Sequence, residues 1–91
     1  MTRAEASCTI CNELGLHLRA AAAFVKLAER FQSDVTLERD GQSANGKSII
    51  ALVTLAATRG TPVRVAAVGT DAQVAVEALS ALIQDRFGEV S

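Results

Sequence analysis

The segment VTLERDGQSA, residues 35–44, pivots on its central Asp40-Gly41 pair. Val35 and Leu37 alternate with Asp34, Thr36 and Glu38, the period-two pattern of a strand buried on one face. Asp-Gly favours the tight turn in which both central residues take positive φ, and a short return strand through Ser43 and Ala44 should follow. The segment is therefore a hairpin, an antiparallel pair at the heart of the chain.

The flanking sequence supplies what packs on that pair. Upstream, Leu18 to about Phe31 reads as an amphipathic helix, with Phe24, Leu27, Ala28 and Phe31 on one face. Arg19, Lys26, Glu29 and Arg30 stay outside it. Ala4 to Asn12, with Cys8 and Ile10, alternates enough for a first strand. Downstream, Ser48 opens a short apolar helix from Ile49 to about Ala57, with Gly60 just past its end. Pro62 starts a strand whose Val63, Val65 and Ala67 share a face up to Gly69. Asp71 is placed to cap a last helix through Phe87, which buries Ala75, Leu79, Leu82 and Ile83 before Gly88 stops it. The order β-α-β-β-α-β-α predicts an α+β domain, a four-stranded sheet with its helices on one face. The other face can stay polar, as Glu38 and Arg64 suggest.

Ninety-one residues make one small domain, able to bury roughly 60–65% of its unfolded surface. The chain is 49% hydrophobic and 21% charged, a mixture that folds rather than stays disordered. Nine Lys+Arg against ten Asp+Glu leave a net charge of −1, which argues against nucleic acid as a partner. Three Phe without Trp or Tyr offer little for bases to stack on. The longest apolar run, Ala20 to Val25, is far short of the ~20 residues of a membrane span. Met1 to Ser7 lacks the apolar core of a secretory signal, so the cytoplasm is the expected location. Two cysteines there are expected to stay reduced.

Two motifs suggest other classes of protein. Cys8-Thr9-Ile10-Cys11 is a C-x-x-C, and a metal carrier of similar strand and helix order would use one. On a strand, however, a separation of three turns the two sulfurs to opposite faces, and no second cysteine pair follows. No metal site is expected. Gly41 to Ser48 fits the phosphate-loop string G-x-x-x-x-G-K-[ST], with Lys47 as its lysine. That motif needs a buried parallel strand before it and a long helix after it, whereas here a hairpin precedes and a short helix follows. Chance resemblance is the better reading.

Ser48 and His17 carry more. A serine before an apolar run is an ordinary N-cap, contributing ~1 kcal/mol. A phosphate added there would also meet free backbone N–H groups. Helical spacing buries Leu52 and Leu55 and leaves Ile49, Ile50 and Val53 partly on the surface, a docking face. His17, the sole histidine, stands between Gly15 and an alanine-rich helix in GLHLRAAAAF, residues 15–24. Gly15 permits unusual backbone geometry just before it. Free N–H groups of the first turn can hold an anion beside the ring. Arg19 adds a charge that fits phosphate oxygens. That assembly suits a histidine that takes on a phosphoryl group and passes it on.

Three blocks, GLHLRAAAAFVKLA, ANGKSIIALVTLAA and GTPVRVAAVGTDAQVAVEAL, resemble the HPr family in order and spacing. These are small histidine-containing phosphocarriers of the bacterial phosphoenolpyruvate-dependent phosphotransferase system, of the HPr or nitrogen-related NPr type. The resemblance implies an open-faced β-sandwich, with antiparallel strands in the order 1-4-2-3 and three helices on one side. It implies a cytoplasmic carrier, expected as a monomer without cofactor, rather than an enzyme with its own turnover. His17 would accept the phosphoryl group from enzyme I and deliver it to an enzyme IIA domain, with Arg19 helping to hold it. Ser48 would match a regulatory serine modified by an HPr kinase/phosphorylase. Lys26, Ile49, Ile50 and Val53 would form the partner surface, and the apolar Leu18 beside the site widens it. The family usually has proline after the arginine, where this chain has Ala20, and a small residue after the histidine, where it has Leu18.

Overall fold

The computed structural model describes residues 2–91. Its strands are β1 (Thr2–Thr9), β2 (Asp34–Arg39), β3 (Gln42–Asn45) and β4 (Pro62–Gly69). Its helices are α1 (Leu18–Ala28), α2 (Ile49–Thr54) and α3 (Ala72–Gln84), followed by a 3₁₀ turn at Arg86–Gly88. The sheet runs β1-β4-β2-β3 with every neighbouring pair antiparallel. The three helices cover one face.

The hairpin forms as its turn chemistry demands. Asp40 and Gly41 both take positive φ, 50° and 83°, and Arg39 pairs with Gln42 across the turn. Alternation then sorts the strands. Ala4 and Cys8 of β1, Val35 and Leu37 of β2, and Val63, Val65 and Ala67 of β4 are buried beneath the helices. Arg3, Glu5 and Arg64 stand on the exposed side. There Arg64 pairs with Glu38, its cross-strand neighbour on β2. From the helices, Phe24, Leu52, Leu79 and Ile83 fill the core with no exposed surface. Alanines at 20, 21, 28, 72 and 75 face the same core, so the helices approach closely.

The element ends differ from the sequence reading, each for a local reason. β1 stops at Thr9, although Ile10 stays buried and exchanges backbone hydrogen bonds with Gly60 and Thr61. α1 stops at Ala28, and Phe31 lies in the turn beyond it. α2 stops at Thr54 because Ala56 takes a φ of 53° and the chain reverses. That reversal lets the Ala57 carbonyl accept from the Leu16 N–H at 2.8 Å. α3 stops at Gln84, and Arg86 and Phe87 adopt φ near 55° (56° and 55°), folding Phe87 into the core. Leu82 is only partly buried, and Ala72 and Val76 take inward positions instead.

Asp71 begins α3 but makes no side-chain capping bond. Its carboxylate accepts instead from the Ser33 hydroxyl at 2.5 Å and from the backbone N–H groups of Gln32 and Ser33 at 2.9 and 3.0 Å. The Ser33 hydroxyl above all, then the Gln32 amide, holds this carboxyl below the usual carboxylate range against the opposing effect of desolvation. The contact ties the turn after α1 to the start of α3, which keeps α1 in place. Among the described residues no helix is long and apolar enough to cross a membrane.

Candidate functional site

The loop from Ile10 to His17 is built to present one side chain. Gly15 takes a φ of 68°, and a Cβ there would lie 2.6 Å from the Ala57 carbonyl oxygen. Only glycine fits both conditions without strain. The buried Asn12 side chain donates to the Gly15 carbonyl at 2.8 Å, closing the loop on itself. Leu16 anchors it in the core with 3% exposure.

His17 follows as the N-cap of α1, with an extended backbone. Its carbonyl accepts the first helical bond, from Ala21 at 2.8 Å. Its Nδ1 accepts from the Arg19 backbone N–H at 3.3 Å, so this nitrogen faces the first turn. The ring serves where Ser or Asp usually caps. Its other nitrogen, Nε2, lies 2.6 Å from Oε2 of Glu89, which comes from the C-terminal tail. Asn12 donates to the second oxygen of Glu89 at 2.9 Å. Burial works against the ionised form of Glu89. Hydrogen bonds from Asn12 and His17, with the nearby charge of Arg19, outweigh it and hold the carboxyl below its usual range.

Arg19 is exposed and lines a cleft of about 620 Å³ with Glu13, Leu14, Phe87, Glu89 and Val90. The sequence-predicted pair is joined at the start of α1 through the Arg19 backbone N–H, and the Arg19 side chain shares its cleft with Glu89, the partner of the His17 ring. Helix amides and Arg19 favour an anion at Nδ1. The His17 side chain keeps 25% of its surface accessible.

Ser48 caps α2, its Oγ accepting from the Ala51 N–H at 3.2 Å. α1 and α2 pack against each other. Around them Leu18 is 67% and Ile50 79% exposed, with Val53 less so at 37%. Lys26 is exposed as well, whereas Ile49 is half-buried against the core.

The other two motifs lie elsewhere. Gly41 to Ser48 forms the hairpin turn, β3 and the turn into α2, and Lys47 donates its Nζ to the Phe31 carbonyl at 2.9 Å. Its ammonium ties β3 to the end of α1 rather than facing a phosphate. Cys8 is buried on β1, but Cys11 lies beyond the strand, its Sγ 3.3 Å from the Ile83 carbonyl. The sulfurs are thus separated by the end of β1, not by strand alternation as the sequence suggested.

Sequence reading missed Asn12 and Glu89. Glu89 reaches His17 across 72 positions, so no local spacing announces it. A polar residue in a loop that must close over a core was the available signal for Asn12.

Residues 4–85 match the family described as the PTS HPr component phosphorylation site. The chain is 46% identical over 81 residues to the phosphocarrier protein HPr of Xylella fastidiosa, covering 89% of this chain and 91% of that protein. It is 36% identical over all 91 residues, and the full length of both chains, to the phosphocarrier protein NPr of Shewanella violacea. The crystal structure of HPr-C-His from Thermoanaerobacter tengcongensis superposes with a TM-score of 0.91 at 39% identity, covering 97% of this chain and 99% of that one. By sequence and by fold alike, the chain belongs to the HPr family of phosphocarrier proteins.

Proposed function

We propose that the protein carries a phosphoryl group on His17, taking it from phospho-enzyme I and handing it to an enzyme IIA domain. The observation that carries this reading is the ring's placement. Nδ1 faces the amides of the α1 first turn while Nε2 is engaged by Glu89, so one nitrogen is held toward an anion site. The backbone amides and the Arg19 guanidinium would take the phosphoryl oxygens. Such a site needs no turnover of its own, since donor and acceptor proteins supply the two ends of the transfer. Leu18, Ile50 and Val53, with half-buried Ile49 and the charge of Lys26, would form the face that both partners meet.

Phosphoenolpyruvate with enzyme I should give an acid-labile, base-stable phosphate on the wild-type chain and none on His17→Ala. Absence of wild-type label, or label retained in His17→Ala, contradicts the proposal. Nucleotide binding lost in Lys47→Ala would favour a phosphate-loop function instead.

Ser48 would be the regulatory site, modified by an HPr kinase. Its hydroxyl sits between the docking face and the start of α2, so a negative group there crowds and charges the surface that enzyme I must meet. Ser48→Asp should slow phosphorylation by enzyme I by about tenfold, an effect of one misplaced charge at an interface. Unchanged transfer kinetics would remove Ser48 from regulation.

A further inference from the structure

We infer that Glu89 is a positioning residue for phosphoryl transfer: by accepting the Nε2–H of His17 it fixes the ring tautomer that keeps Nδ1 unprotonated, with its lone pair turned to the anion site. The inference rests on His17 as the phosphoryl acceptor and adds the group that orients it. A carboxylate can only accept, so the 2.6 Å contact requires a hydrogen on Nε2. A backbone amide can only donate, so the 3.3 Å contact from Arg19 requires a lone pair on Nδ1. A neutral imidazole has one ring hydrogen, and only the Nε2–H tautomer meets both demands.

Glu89 is itself held in place. Asn12 donates from the same Nδ2 to Oε1 of Glu89 and to the Gly15 carbonyl, at 2.9 and 2.8 Å. Both partners are acceptors, which fixes the orientation of the amide. The tail just beyond Glu89 is pinned twice. The Glu13 N–H donates to the Ser91 carbonyl at 3.0 Å, and Arg86 donates to the Val90 carbonyl at 2.9 Å. The Glu89 side chain keeps only 14% of its surface exposed.

During transfer the Nδ1 lone pair leaves the Arg19 N–H and forms the new P–N bond, which frees that amide for a phosphoryl oxygen. The donor's P–N bond breaks, and its electron pair stays on the donor nitrogen. The His17 ring becomes cationic with its hydrogen still on Nε2, so no proton has to move. Glu89 then faces that cation, and discharge to the acceptor reverses the same flow. The logic is that of a carboxylate placed behind a catalytic imidazole.

Glu89→Gln and Glu89→Ala separate this role from a merely structural one. In Glu89→Gln, the Asn12 amide draws the new carbonyl toward itself, so the new NH₂ faces Nε2. Donors then converge on both ring nitrogens, and the ring must abandon one contact or place its hydrogen on Nδ1. In Glu89→Ala the constraint simply disappears. Single-turnover transfer from phospho-enzyme I should fall about tenfold in Glu89→Ala and about a hundredfold in Glu89→Gln, smaller than the loss from a wrong tautomer in a buried triad. Nitrogen-15 NMR of the neutral ring should show Nε2–H in the wild type and a gain of Nδ1–H in Glu89→Gln. Glu89→Gln transferring as fast as Glu89→Ala or faster, or an Nδ1–H ring in the wild type, would overturn the role. A wild-type chain that takes no phosphoryl group would instead overturn the phosphocarrier reading itself.

Discussion

Gly15→Ala should destabilise the fold by about 2–4 kcal/mol and lower phosphoryl transfer by about a hundredfold. Two costs combine at this position. A φ of 68° is unfavourable for alanine, and its Cβ would stand 2.6 Å from the Ala57 carbonyl oxygen and 2.9 Å from the Thr58 Cα. Both neighbours are backbone, so the clash cannot be relieved by turning a side chain. The loop must back away from the turn after α2, and this breaks the 2.8 Å bond from Leu16 to Ala57. His17 begins just beyond, and a shift of about 1 Å at a reacting group is enough for a loss of that size. Gly60→Ala is the control. It has a φ of 90° but open space around its Cβ, so it should show only the backbone cost and leave transfer near wild type. Urea melts and single-turnover transfer on the three proteins check both halves.

Phe24→Ala should cost about 3–5 kcal/mol, a large part of the ~5–10 kcal/mol available to a domain of this size. Phe24 is fully buried on α1, and its ring reaches the exit of β3, where a Cβ on Gly46 would lie 3.1 Å from Cε1. The ring spans from the helix that His17 caps to the β2–β3 hairpin at the edge of the sheet. Its removal leaves a cavity in the middle of the core. The Tm should drop by about 15–30 °C, as a loss of that size implies for a small domain. Phe24→Leu should recover most of that loss, and a Phe24→Ala melt within a few degrees of wild type would contradict the packing described.

Legibility in the sequence followed the range of the forces involved. The hairpin could be read because Asp40-Gly41 fixes a turn by local backbone preference alone. The alternation of Val35 with Leu37, and of Val63 with Val65 and Ala67, assigned the buried side for the same reason. Helix ends could not be read this way. Ala56 and Ala57 are good helix formers, yet α2 ends before them because Leu16 needs the Ala57 carbonyl. Propensity yields there to a tertiary bond. Phe87 was read as the end of a helix, whereas the core takes its ring only if the chain turns at Arg86.

The candidate site divides along the same line. His17 and Arg19 were visible together because a helix start brings near neighbours into one field. Asp71 was visible as a cap, but its carboxylate serves Ser33, which lies 38 positions earlier. Glu89 and Asn12 were not visible, since the contact of Glu89 with the ring, and of Asn12 with Glu89, exists only after α3 has delivered the tail. Ala20 was marked as a departure from the family pattern at a place where proline would stiffen the first turn. It is fully buried in the core, and α1 closes with the His17 carbonyl accepting from Ala21. The turn forms with the best helix-forming residue in place of a rigid one.

The most direct measurement is the location of the phosphoryl group after charging by phosphoenolpyruvate and enzyme I. Phosphorus and nitrogen-15 NMR on ring-labelled protein should show one phosphorus resonance coupled to Nδ1 of His17, with the hydrogen retained on Nε2. Phosphorus coupled to Nε2, or carried by any other residue, would contradict it.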